Sequence, residues 1–89
     1  MSEPTTAAAI RGWLEEGRKK GATHCLVICD TWDPAGGYED YPRYVMPGEN
    51  AREIAERYSD PNGIERLVEV YNLSMDLEEQ LKEVRARNF

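Results

Sequence analysis

The chain has 89 residues, with 17 acidic and 11 basic side chains and a formal net charge of −6. A chain of this length predicts one domain spanning residues 1–89, and its small core favours self-association as an additional source of stability. The excess of acidic over basic side chains argues against direct nucleic-acid binding, because contacts with phosphates need a basic face. No apolar run approaches the ~18 residues that a membrane span requires, so we also expect no membrane insertion.

The first element along the chain is a predicted helix. Thr6 is a suitable N-terminal cap, and a run of alanines follows it. Ile10, Trp13 and Leu14 then recur at i, i+3 and i+4, which is the spacing of one apolar helix face. Gly21, after a basic last turn, is the expected end of this helix.

A β-hairpin is predicted next. Residues 24–29 form a strand whose consecutive apolar side chains at 26–28 leave both of its faces dry. We expect helices on one face and a second subunit on the other, and therefore a homo-oligomer, most simply a dimer. A second strand is predicted at 41–46, and Pro42 marks it as an edge strand or delays its pairing. The connecting loop of about nine residues exceeds the usual two to five and favours a functional role.

The two cysteines indicate a cellular compartment. Cys25 and Cys29 are four residues apart on one strand, or roughly 13 Å at ~3.3 Å per residue. A disulfide needs Cα atoms within ~7 Å, so these thiols cannot pair with each other. Free thiols predict a reducing cytoplasm. The structural interpretation is that both cysteines are small buried hydrophobic residues.

Three helices are predicted after the hairpin. The first is capped by Asn50, and the second begins at Asp60 and Pro61. The third is capped by Ser74. The predicted fold class is therefore α+β: an N-terminal helix, a β-hairpin with a long loop, and three C-terminal helices packed on a two-stranded sheet. Their apolar stripes are Ala51, Ile54, Ala55 and Tyr58, then Ile64, Leu67, Val68 and Tyr71, then Leu77, Leu81 and Val84.

The residues around the hairpin loop combine aromatic rings, carboxylates and an arginine. Such side chains supply contact area and hydrogen-bond acceptors, which is typical of a surface that binds a partner or ligand. The alternative is that they only organise the loop and the core. The candidate binding residues are Asp30, Trp32, Asp33, Tyr38, Glu39, Asp40, Tyr41, Arg43 and Tyr44.

Three functions fit this segment. The favoured one is a non-enzymatic interaction module that binds a protein partner, for example as an inhibitor. The alternative is an oligomer that binds a small nucleotide-like ligand, stacking its base on Trp32 or a tyrosine and its phosphate on Arg43. The least favoured is a metal-dependent hydrolase with Mg²⁺ at Asp30 and Asp33, with or without Asp40. No catalytic residue, resident metal or cofactor is predicted.

Residues 21–33, GATHCLVICDTWD, and 39–45, EDYPRYV, resemble a group of small uncharacterised proteins from bacteria and bacteriophages. The resemblance extends from residue 71 towards the C-terminus, so it covers most of the chain. The group has no established activity, and this chain has additional residues at 34–37. What the resemblance implies is context only: a compact cytoplasmic accessory protein, carried by a phage.

Overall fold

The computed structural model describes residues 5–31 and 39–89. The elements are α1 (Ala7–Lys19), β1 (His24–Asp30), β2 (Glu39–Val45), α2 (Ala51–Arg57), β3 (Glu65–Asn72) and α3 (Leu77–Leu81). The three strands of the described chain form an antiparallel sheet in the order β2-β1-β3, so β1 lies at its centre.

Helix α1 forms where the sequence predicts it. The Thr6 side chain accepts a hydrogen bond from the Ala9 N–H at 3.1 Å, which caps the N-terminus. Gly21 has a φ of +78° directly after the last turn, a conformation that glycine adopts without steric cost. The side of the helix that faces the sheet buries Ile10, Leu14 and Gly17.

Central strand β1 is covered on both faces by helices of its own chain. Cys25 and Val27 pack in one cluster with residues of α1 and α3. Leu26 and Ile28 pack in a second cluster with residues of α2. Helix α2 packs on the face where we expect a second subunit, so β1 needs no second copy to cover it, and the homo-oligomer itself stays a prediction.

The prediction of three C-terminal helices on a two-stranded sheet is wrong, because residues 65–72 form β3. The pairing of β1 with β3 shifts register between Val27 and Ile28, as at a β-bulge. Val68 and Tyr71 therefore both pack in the α1 cluster although they are three residues apart, and Leu67 packs in the α2 cluster. This spacing imitates a helix, whereas the valines and the tyrosine of 65–72 favour a strand.

Asp60 and Pro61 begin a turn and not a helix. The Gly63 N–H donates to the Asp60 carbonyl at 2.9 Å, and the Asn62 N–H donates to the Asp60 carboxylate at 2.8 Å. Asp supports turns in this way as readily as it caps helices. The turn reverses the chain between α2 and β3.

The last helix is shorter than predicted. Its cap is Asp76 and not Ser74, since the Asp76 carboxylate accepts from the Glu79 N–H at 3.1 Å. Val84 lies beyond the helix with its side chain exposed. The chain then runs along the outer edge of β3, where the Val70 N–H donates to the Ala86 carbonyl at 2.7 Å and the Val70 carbonyl accepts from the Asn88 N–H at 3.0 Å.

Strand β2 is an edge strand, as Pro42 predicts, and Pro42 lies within the paired region. The Val45 carbonyl accepts from the Thr23 N–H at 2.7 Å and so faces β1. Pro42 and Tyr44 have the opposite parity, so their backbone groups face outward. Pro42 has no N–H, and the Arg43 guanidinium donates to the Tyr44 carbonyl. This edge therefore offers few free groups for pairing with another strand.

Gln80 joins α3 to the end of β3. Its side chain is buried, and its amide oxygen accepts from the Asn72 N–H at 2.7 Å. Its amide nitrogen donates to the Asn72 carbonyl at 2.8 Å and to the Asp76 carbonyl at 3.1 Å. The side chain thus replaces the strand that would otherwise satisfy the end of β3.

Gly17 of α1 lies close against Tyr44 of the sheet and Leu73 after β3. A Cβ atom there would lie 2.8 Å from Leu73 Cδ1 and 2.9 Å from Tyr44 Cε1. The Tyr44 ring cannot easily move, because its hydroxyl donates to the Trp13 carbonyl at 2.9 Å. We expect Gly17→Ala to lower the free energy of unfolding by about 1–3 kcal/mol, measured by urea denaturation.

Gly12 supplies the matched control on the same helix. A Cβ atom there would meet nothing within 4 Å. Gly12→Ala is therefore expected to raise the free energy of unfolding by about 0.5–1 kcal/mol, because alanine restricts the unfolded chain. Equal effects of the two substitutions would contradict the close packing of α1 on the sheet.

Candidate functional site

The predicted binding residues are divided by the structure. Trp32, Asp33 and Tyr38 lie outside the described residues. The others lie on β1 and β2, and only some of them share one end of the sheet. That end, where β1 leads into the hairpin loop and β2 leaves it, is called the loop end below. Asp30, Glu39, Asp40 and Tyr41 lie there, and Arg43 and Tyr44 lie farther along β2.

Three carboxylates stand side by side at the loop end. Asp30 pairs in register with Glu39 of β2 on one side and with Glu65 of β3 on the other. We call Glu39, Asp30 and Glu65 the carboxylate row. Side chains at paired positions are about 4.5–5.5 Å apart at Cβ and share a face. Glu39 and Glu65 are exposed and Asp30 is half-buried, so the row presents negative charge to solvent.

Sequence reasoning missed Glu65 because its segment was predicted to be a helix. The signal that could have found it is the strand preference of Val68, Val70 and Tyr71 in the same segment. Tyr41 links the row to the core, because its hydroxyl donates to the Glu65 carboxylate while its ring packs in the α2 cluster. The row is thus fixed on the paired strands and does not depend on the loop.

Asp40 faces the other side of the sheet. It pairs in register with Cys29, and its carboxylate accepts from the Thr5 hydroxyl at 2.7 Å. Asp30 is adjacent to Cys29 on β1, and successive side chains of a strand point to opposite faces. Asp30 and Asp40 therefore do not converge on one ion.

No metal site is found in the described chain. Its His, Cys, Asp and Glu side chains nowhere gather in a group of three or more that could hold an ion. Asp33 lies outside the described residues, so the pair of Asp30 and Asp33 stays a prediction, whereas Asp40 points away from Asp30. The geometry gives this hypothesis no support.

Arg43 and Tyr44 serve the structure around them. The Arg43 guanidinium donates to the Tyr44 carbonyl and lies 3.4 Å from the Glu49 carboxylate. The pKa of the Glu49 carboxylate is lowered mainly by the hydrogen bond that it accepts from the Met46 N–H. The positive charge of Arg43 lowers it further. The Tyr44 ring packs in the α1 cluster with Lys20 Nζ 5.0 Å from its centroid, and burial raises the pKa of its hydroxyl. Neither side chain is placed to receive a ligand at the loop end.

His24 holds the end of the described chain in place. Its Nε2 lies 3.2 Å from the Phe89 carbonyl, and its Nδ1 lies 2.9 Å from the Thr23 hydroxyl. The Phe89 ring packs in the α2 cluster, with the Arg52 guanidinium 4.5 Å from its centroid. His24 therefore has a structural role, since it joins the start of β1 to the C-terminal segment.

Comparisons with known proteins give no indication of the function. No protein-family model matches the chain, and searches of curated proteins and of solved structures found no match either. Among the described helices, none combines the length and the apolar character needed to cross a membrane.

Both cysteines are free, and their environment predicts low reactivity. Burial raises the pKa of Cys25 to about 12. Partial burial, with a contribution from the neighbouring Asp40 carboxylate, raises the pKa of Cys29 to about 11. Because the thiolate is the nucleophile, both residues should be poor nucleophiles at neutral pH.

We therefore expect iodoacetamide to alkylate the folded protein slowly at pH 8, and the rate at Cys29 to keep rising about tenfold per pH unit towards pH 10. An ordinary thiol would level off near pH 9. Mass spectrometry of the labelled peptides measures the rate at each cysteine, and the urea-unfolded chain is the control. Rapid labelling of both residues in the folded protein at pH 7 would contradict the burial described here.

Proposed function

We propose that this protein is a non-enzymatic interaction module that binds a basic surface of a partner protein through the loop end of its sheet. The observation that carries the proposal is the carboxylate row, in which Glu39, Asp30 and Glu65 stand in register on neighbouring strands. Like charges directly opposite each other on a sheet are destabilising. A partner that brings Lys or Arg side chains to the row would relieve that repulsion.

Glu39 and Glu65 are not neutralised by a salt bridge within the described chain. The salt bridges there join Arg11 to Glu78, Arg43 to Glu49 and Lys82 to Glu79, and none includes Glu39 or Glu65. The Tyr41 hydroxyl that binds Glu65 is a neutral donor. The carboxylates at this end are part of an overall charge of −6, which attracts basic partners and repels anionic ones.

The partner is expected to contact side chains and not to extend the sheet. The outer edge of β2 presents Pro42, which has no N–H, and the Tyr44 carbonyl, which Arg43 already binds. The outer edge of β3 is occupied by residues 86–88 at Val70. Binding by strand addition needs several consecutive free backbone groups along a sheet edge. Contact through the side chains of the carboxylate row therefore fits this sheet better.

Occupation of a basic groove by such a surface is one way for a small acidic protein to act as an inhibitor. The aromatic residues Trp32 and Tyr38 lie outside the described residues, and their part in binding stays a prediction from the sequence. The free thiols Cys25 and Cys29 support a reducing compartment, and we include a cytoplasmic location in the proposal. A second copy of the chain is not required to cover β1, since α1, α3 and α2 cover it.

Site-specific photo-crosslinking tests the proposal. A photoreactive amino acid at position 39 in cells should give a discrete cross-linked partner, and the same group at position 56, on the exposed side of α2, should not. The partner is then purified and its affinity measured by isothermal titration calorimetry. We expect Glu39→Gln/Glu65→Gln to weaken binding about tenfold at low salt, with a smaller difference at high salt.

Glu16→Gln/Glu56→Gln is the matched control, because it removes the same charge from exposed positions on α1 and α2. Its affinity for the purified partner should remain close to that of the unmodified protein. Cross-linking of the same product from positions 39 and 56, or equal weakening by both double variants, would reject the loop end as the binding surface.

A further inference from the structure

Two arginines share a cavity at the outer edge of β3. The cavity has a volume of about 320 Å³ and lies between the turn after α2, the strand, and the segment that runs along the strand edge. Arg66 projects from β3, and Arg87 is the residue of the edge segment that forms a β-bridge with Val70. The lining residues are Tyr58, Ser59, Asp60, Pro61, Arg66, Leu67 and Arg87.

Backbone carbonyls hold both guanidinium groups. Arg66 Nη2 donates to the Pro61 carbonyl at 3.2 Å. Arg87 Nη1 donates to the Ala86 carbonyl at 2.9 Å and also to the Val68 carbonyl. Each arginine thus uses one terminal nitrogen for the structure, and in the described chain its Nε and its other Nη have no hydrogen-bond partner.

Neither arginine is neutralised by a carboxylate of the described chain, because the salt bridges found there involve other residues. Asp60 also lines the cavity, where its single negative charge stands against the two arginines, and one of its carboxylate oxygens is held in the turn by the Asn62 N–H at 2.8 Å. Two anchored guanidinium groups with free donors are the usual means by which proteins recognise a tetrahedral oxyanion.

A second cavity, of about 460 Å³ between α1 and α3, shows why an arginine alone is not sufficient. Arg18 lines it, but its Nε donates to the Leu73 carbonyl and its Nη2 to the Met75 carbonyl, each at 2.9 Å. Three carboxylates also line that cavity, so it would repel an anion. They belong to Glu15, Asp76 and Glu78.

We propose that the cavity at the edge of β3 binds a small phosphorylated molecule, whose phosphate accepts hydrogen bonds from Arg66 and Arg87. A volume of about 320 Å³ exceeds what a phosphate alone would fill, and it falls within the usual range of ligand pockets. The ring of Tyr58 and the side chain of Leu67 form an apolar wall against which an organic group of the ligand packs. This site is separate from the carboxylate row and does not depend on the proposed function.

The experiment is an NMR titration of the ¹⁵N-labelled protein with three probes: inorganic phosphate, phenyl phosphate and benzoate. Phenyl phosphate should shift the amide signals of Tyr58, Leu67 and Arg87 at lower concentration than inorganic phosphate does, because it also contacts the apolar wall. Benzoate should bind at least tenfold more weakly than phenyl phosphate, since a carboxylate offers fewer acceptor oxygens to two guanidinium groups.

Variants test the two arginines separately. Arg66→Gln should raise the dissociation constant for phenyl phosphate at least tenfold, and Arg87→Lys should raise it severalfold because it keeps the charge and loses the planar fork. Arg85→Gln is the matched control, since Arg85 is an exposed neighbour of Arg87 whose loss changes the net charge equally. Its dissociation constant should stay within twofold of the unmodified protein.

Circular dichroism measures whether each variant is folded. If a variant does not fold, the titration of the unmodified protein with the three probes still tests the site. Shifts spread over the whole surface, no saturation by phenyl phosphate, or equal weakening by Arg66→Gln and Arg85→Gln would overturn the site. Equal affinity for benzoate and phenyl phosphate would overturn its assignment to phosphate. None of these results bears on partner binding at the carboxylate row, which has its own variants.

Discussion

The requirement that most shapes this protein is the burial of β1 on both faces. Four consecutive residues of this strand, from Cys25 to Ile28, are almost completely inaccessible to solvent. In a chain of 89 residues, both covering layers and both neighbouring strands must come from the same short sequence. Helices α1 and α3 cover one face and α2 covers the other, so the hairpin, the turn at Asp60 and the strand β3 are all arranged around β1.

A sheet with one central strand has two edges, and this protein covers them differently. On β2 the covering is local, because Pro42 removes a donor and Arg43 binds an outward carbonyl. On β3 it is supplied by the chain near residue 87, which pairs with Val70, and by the Tyr58 carbonyl, which accepts from the Leu67 N–H at 3.1 Å. Covering the β3 edge is also what brings Arg87 beside Arg66. The proposed phosphate site is therefore a by-product of the way the sheet is closed.

Local signals predicted the parts of the fold that local interactions determine. The caps at Thr6 and Asn50 and the antiparallel pairing of the hairpin are all found in the structure. Strand β3 was missed because a bulge puts Val68 and Tyr71 on one face, which imitates helical spacing, and a bulge depends on pairing with a distant strand.

The candidate site likewise has residues that the sequence predicts and residues that only the structure brings together. Asp30 and Glu39 were predicted because they flank one loop, whereas Glu65 joins them only through the pairing of β1 with β3. Arg66 and Arg87 were not distinguished in the sequence, since nothing local shows that residues 21 positions apart border one cavity. The sequence predicts that Arg43 binds a ligand. Only the structure shows that its guanidinium already donates to the Tyr44 carbonyl and pairs with the Glu49 carboxylate.

The order of the strands has a consequence for synthesis of the protein. Of the three strands, β1 and its hairpin partner β2 leave the ribosome first, while β3 follows only after α2 and the turn at Asp60. Until then the nascent hairpin has an open edge on its most apolar strand. This interval is when the chain is most exposed to wrong pairing with a neighbouring nascent chain, and chaperones that shield short apolar strands would act on it then.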